Sequence, residues 1–168
     1  MSRSFKLLFL ALAFSSMAAI AQESGAPGAG ASTEPSKAMV HFYRYKQFVG
    51  SALAPSVFCD GAELARMENG RYFAATLNPG KHSFTSNDKQ SGVDLELKAG
   101  EEYYIRVEIA AGFAKGHGRL VLVPREQGTY ELQSDKLKPL DENKVADKGV
   151  VSTTEPHLQP ASLEGQPK

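Results

Sequence analysis

The run from Val57 to Ile109 constrains this chain more than any other part of it. Short apolar–polar alternations there are cut by Asp60-Gly61, Asn69-Gly70, Pro79-Gly80 and Ala99-Gly100. Turn pairs at such close intervals leave room for strands of a few residues and for no long helix. Val93, Leu95 and Leu97 alternate with Asp94, Glu96 and Lys98, a half-buried strand written with period two. Tyr103, Ile105, Val107 and Ile109 continue an inward pattern, with Tyr104, Arg106 and Glu108 on the other face. Arg119 to Pro124 is an unbroken apolar run, which suits a central strand covered on both faces. Met39 to Tyr45 and Tyr72 to Leu77 supply two further strands, and Tyr130 to Leu132 a short edge strand. Ser134 to Leu140 reads equally as a strand end or one helical turn.

Seven or eight such strands without a crossover helix make an all-β fold, a small antiparallel sandwich of two sheets, with a small barrel as the alternative. Aromatic residues mark its extent. Every Phe and Tyr after the first 21 residues lies between Phe42 and Tyr130. Residues 22–37 hold no large apolar side chain and read as a flexible leader. Residues 38–140 form the domain. Residues 141–168, with no aromatic and three prolines, read as a disordered tail in which only Val150-Val151 has the character to dock.

The first 21 residues have the pattern of a secretory signal. Arg3 and Lys6 precede an apolar stretch from Leu7 to Ile20, and Ala19-Ile20-Ala21 offers small residues for cleavage before Gln22. The apolar stretch is shorter than the roughly 20 residues of a spanning helix, so no transmembrane segment is expected after cleavage. The single cysteine, Cys59, lies far from that cleavage site, which excludes a lipoprotein. It also excludes an internal disulfide. A periplasmic or secreted location follows. Removing Arg3 and Lys6 leaves 17 basic against 19 acidic residues, scattered without a basic stripe, and nucleic-acid binding is not expected.

Taken in order, the turn and strand motifs resemble a known bacterial group. They are Arg44 with Gly50-Ser51, Asp60-Gly61, Asn69-Gly70-Arg71-Tyr72, Pro79-Gly80-Lys81-His82 and Gly100-Glu101-Glu102-Tyr103-Tyr104. This pattern is similar to that of the domain of unknown function 2846, found in small exported envelope proteins, and more loosely to PEGA-type surface domains. The resemblance implies an immunoglobulin-like or prealbumin-like sandwich outside the cytoplasm. It implies no activity.

The residues themselves offer little for catalysis. His41, His82, His117 and His157 stand at no local ligand spacing, so no metal site and no cofactor is expected. No nucleophile-elbow motif occurs. Cys59 reads as a small buried thiol and Asp60 as a turn residue. Surface contact is the better expectation. Tyr43, Arg44, Tyr45 and Phe48 cluster in and after the first strand, and Phe113 sits at the tip of the Ala110–Gly118 loop. Tyr beside Arg suits contact with a cell-wall glycan or an envelope protein. The alternative is that these aromatics cover a sheet or an edge. A non-enzymatic binding or structural module is thus expected, with a small periplasmic hydrolase or metal-dependent enzyme as the other reading.

Overall fold

The computed structural model describes residues 36–88, 91–110, 116–134 and 136–154. The signal segment, most of the leader, Phe113 and residues 155–168 lie outside the described residues. The strands are β1 (Ala38–Tyr43), β2 (Ser56–Cys59), β3 (Ala62–Arg66), β4 (Arg71–Leu77), β5 (Gly80–Thr85), β6 (Gly92–Leu97), β7 (Glu102–Ala110) and β8 (His117–Val123). Helix α1 (Arg125–Ser134) follows, then the two-residue strands β9 (Lys138–Pro139) and β10 (Val151–Ser152).

Two sheets pack face to face, as the alternating strands require. One has the order β10-β4-β1-β7-β8, with β9 also on β4; the other runs β3-β2-β5-β6. Val40, Phe42, Phe73, Ile105 and Val107 from the first sheet meet Val57, Leu64, Phe84 and Leu97 from the second in one buried cluster. Phe42 stacks on Phe73 at 4.9 Å and meets Phe84 edge-on at 5.6 Å, so aromatic contacts join the sheets at their centre. The turns take the geometry their residues favour. Asp60 and Gly61 both have positive φ, at 51° and 83°, as a two-residue hairpin demands.

Four features depart from the sequence expectation. The first sheet is mixed, because β1 pairs with β7 in parallel (Met39 opposite Glu102) and β9 pairs with β4 in parallel. The apolar run after Arg119 forms β8 at a sheet edge rather than at the centre. It is apolar because Leu120 enters the inter-sheet core while Val121 and Val123 face a second cluster under α1. Tyr130 to Leu132 is helical. Pro124 ends the strand and begins the helix, its carbonyl accepting from Gly128 N at 2.8 Å. The helix covers the outer face of the first sheet through Leu132, against Tyr43, Tyr72, Tyr104 and Val123. At Gly128 the helix backbone comes so near that a Cβ would lie 2.4 Å from Tyr104 Cγ.

The fourth departure concerns the tail. Residues 138–152 form a strap that touches both sheets. Leu140 N donates to Tyr72 O, Ala146 N to Leu64 O at 2.9 Å, and Thr76 N to Val150 O at 2.8 Å. Val145 bridges Ala65, and β10 pairs with Ala74 and Ala75 of β4. Val145, Val150 and Val151 pack on the core. The folded domain therefore extends at least to Ser152, past the expected boundary at residue 140. The strap also covers backbone edges of β3 and β4 that would otherwise offer themselves to other chains.

Candidate functional site

Three groups of side chains concentrate the polar chemistry of the described residues. The first is the connection from β1 to β2. Arg44 is 1% exposed, and its partners are carbonyl oxygens. Nη1 donates to Leu53 O at 2.5 Å and to Met67 O at 3.4 Å, and Nη2 donates to Gly50 O at 2.7 Å, while Nε has no hydrogen-bond partner. Burial pushes its pKa down. Across the loop, Gln47 and Asn69 exchange two hydrogen bonds, Gln47 N to Oδ1 at 2.9 Å and Nδ2 to Gln47 O at 2.8 Å. Gly50, at φ 75°, packs on Ile109, whose Cγ2 would lie 3.1 Å from an added Cβ. The guanidinium thus ties several points of the loop to the domain. At the tip of this tethered loop, Phe48 is 96% exposed and Val49 is 80% exposed.

The sequence-derived contact residues are therefore divided by the structure. Phe48 is on the surface. Tyr43 and Arg44 are buried and hold structure together, so neither presents a surface to a partner. Tyr43 does alternate with Val40 and Phe42, but α1 covers the face it points to. Tyr45 is half-buried, with the Arg106 guanidinium 5.4 Å from its ring centre.

The second group lies under α1. Glu131 is buried and accepts from the Tyr43 hydroxyl, from Gln127 Nε2 at 2.7 Å and from Arg106 Nη1, 3.1 Å from each carboxylate oxygen. Arg106 also reaches Glu108 Oε1 through Nη2 at 2.8 Å. Burial opposes the charge on Glu131, yet the hydrogen bonds from Tyr43, Tyr45, Gln127 and Arg106 prevail and hold its carboxyl down at about 2. Burial first, then the Glu131 carboxylate, raises the Tyr43 phenol far above its usual range. Nearby, His41 is buried and stacked on Tyr104 at 4.9 Å; burial lowers its pKa. Tyr43 and Arg106 converge from the sheet on Glu131, and these bonds fasten the helix.

The third group was not expected from the spacing of the histidines. Cys59 ends β2, Asp60 opens the hairpin, and His82 lies on β5, which pairs with β2 so that Cys59 faces Phe84. Asp60 N donates to Ser83 O, and Ser83 N returns a bond to Asp60 Oδ1 at 2.9 Å. The second carboxylate oxygen, Oδ2, lies 2.7 Å from His82 Nδ1 and 3.5 Å from Cys59 Sγ, which in turn is 3.7 Å from Nδ1. His82 Nε2 sits 2.9 Å from Asn78 O. A groove of about 510 Å³ opens over Asp60 and His82 beside Lys81, Ser83, Asp94 and Glu96. Burial, reinforced by the Asp60 carboxylate, pushes the Cys59 thiol up to about 12. The backbone bond from Ser83 and the contact with His82 lower Asp60. The signal that could have located this group is the antiparallel neighbour relation between a Cys-Asp-Gly turn and a Pro-Gly-x-His turn; residue spacing along one strand does not carry it.

Comparison with known proteins adds a family and one relative. The model of the family described as "Protein of unknown function (DUF2846)" matches residues 34–118, which include the loop at Phe48 and the Cys59–Asp60–His82 group. An uncharacterised protein of Haemophilus influenzae is 28% identical over 124 residues, 73% of each chain.

Proposed function

Because the chain belongs to the DUF2846 family, whose description gives no activity, its role is read from its own geometry, and we propose that it is a non-enzymatic β-sandwich module of the bacterial envelope that docks another envelope protein through the Phe48–Val49 tip. The observation that carries this reading is the pairing of near-complete exposure at Phe48 with the clamp beneath it. A loop fixed before binding loses little conformational freedom on docking, and preorganisation of this kind raises affinity. Burying both side chains contributes about 4 kcal/mol at roughly 1.5–3 kcal/mol each. A protein partner suits the tip better than a glycan does. Small-ligand and sugar sites are concave with converging polar groups, whereas Phe48 at 96% exposure has little wall around it.

The signal-like first 21 residues support the envelope setting. The hydrolase reading has weaker support. With its thiol near 12, Cys59 keeps its proton at neutral pH and makes a poor nucleophile.

A photo-crosslinking residue at position 48, expressed in intact cells, tests the proposal. The expected result is a discrete crosslinked protein that is absent when the probe sits at exposed Lys98. Phe48→Ser should weaken binding to that protein by more than tenfold without changing the thermal midpoint. Equal crosslinking from both positions, or retention on purified sacculi that depends on Phe48, would overturn the protein-partner assignment.

A further inference from the structure

We propose that Cys59, Asp60 and His82 form a binding site for a divalent transition-metal ion of the zinc class. Three ligand types with affinity for such ions, a thiol, a carboxylate and an imidazole, place one donor atom each within 4.8 Å of the others. The separations suit a shared ion. Tetrahedral zinc with bonds of about 2.3 Å to sulfur and about 2.0 Å to nitrogen or oxygen sets its ligand atoms about 3.3–3.6 Å apart. Sγ lies 3.7 Å from Nδ1 and 3.5 Å from Oδ2, so both sulfur edges already match. The remaining edge, 2.7 Å from Nδ1 to Oδ2, must open by about 0.6 Å to reach that geometry.

The outer contacts orient the donors toward one another. A carbonyl accepts only from a donor, so the 2.9 Å contact with Asn78 O puts a proton on His82 Nε2. That leaves Nδ1 facing the Asp60 carboxylate 2.7 Å away, and a metal ion would take the place of the hydrogen shared across this contact. Ligating histidines characteristically donate their second ring N–H to a carbonyl or carboxylate, which is the arrangement here. Ser83 N fixes the other carboxylate oxygen in the same way. Cys59 is 6% exposed and closes the site from the core side, while the groove over Asp60 and His82 gives an entry path from solvent. Three protein ligands leave a fourth position for water or an incoming group on the groove side. On ligation the thiol proton passes to solvent, and metal uptake is accompanied by proton release.

The test uses metal-free protein with its signal segment removed, titrated with cobalt(II) and, by calorimetry, with zinc(II). The expected result is one equivalent bound, with a sulfur-to-cobalt charge-transfer band in the near ultraviolet. Cys59→Ser should abolish the band, and His82→Gln should weaken zinc binding by more than tenfold. His117→Gln should leave both readouts unchanged. Zinc binding should also release protons, read as a calorimetric enthalpy that changes with the ionisation enthalpy of the buffer, a readout that needs no variant to fold. Absence of the cobalt band, a binding enthalpy independent of the buffer, or zinc binding that survives His82→Gln while falling in His117→Gln would each overturn the assignment.

Discussion

Replacing Glu131 with Gln should destabilise the protein at neutral pH and remove most of that difference in acid. The carboxylate is buried under α1 with the Tyr43 hydroxyl, Gln127 Nε2 and Arg106 Nη1 all donating to it. Its pKa falls from 4.5 to about 2 on folding, even though burial alone would raise it. Each unit is worth about 1.4 kcal/mol, which caps the charge-dependent stabilisation at about 3 kcal/mol. Because the folded value is the lower one, this stability is fully present above about pH 4.5. It is lost as pH falls toward 2, at up to about 1.4 kcal/mol per unit. In Glu131→Gln an amide group faces Arg106, one charge-assisted bond is gone, and the expected loss at pH 7 is about 2 kcal/mol. The chain has no tryptophan, so urea unfolding is followed by far-ultraviolet circular dichroism at pH 7, 4 and 2.5. The two proteins should converge in stability as pH falls. A gap that stays constant with pH, or one below about 0.5 kcal/mol at pH 7, would refute the role assigned to the Glu131–Arg106–Tyr43 network.

Two other perturbations probe the elements that a sequence reading does not supply. Gly128→Ala drives a Cβ to 2.4 Å from Tyr104 and should cost about 1–3 kcal/mol despite the better helix propensity of alanine, as read from the urea midpoint. A gain in stability would show that α1 does not approach the sheet so closely. Val151→Asp puts a carboxylate beside the core at the strap and should cost about 1–3 kcal/mol. Limited proteolysis should then cut within residues 141–154 well before the rest of the domain, and uniform resistance there would count against a load-sharing strap.

The parts of the fold that were legible are those that obey one periodicity against one partner. The β6 strand buries Val93 and Leu97 and exposes Asp94, as its alternation says. The illegible parts answer to two partners or to none that a pattern can encode. Tyr43 looks outward by alternation from Phe42, but a helix covers that second face. The helix itself is nearly invisible, because it touches the sheet through Leu132, a charged Glu131 and the bare backbone of Gly128. No apolar stripe results. Beyond Leu140 the strap has only Val145, Val150 and Val151 to pack on the core, and its place is fixed largely by backbone bonds to existing strand edges. The Cys59–Asp60–His82 group was missed for a related reason, since its members come together only through the register of β2 on β5.

The position of β1 has a consequence for how the domain comes into being. The first strand of the domain lies at the centre of its sheet, between β4 and β7, with Met39 opposite both Thr76 and Glu102. A chain that emerges from its N-terminus onward has Phe42 and Val40 available early but no completed pocket for them. The parallel partner arrives only with β7, and closing a loop of that length precedes any reward from its contacts. Folding of the sheet is thereby delayed until most of the domain is present. The edge strands and the strap, which come last, then complete a sheet whose centre was made first.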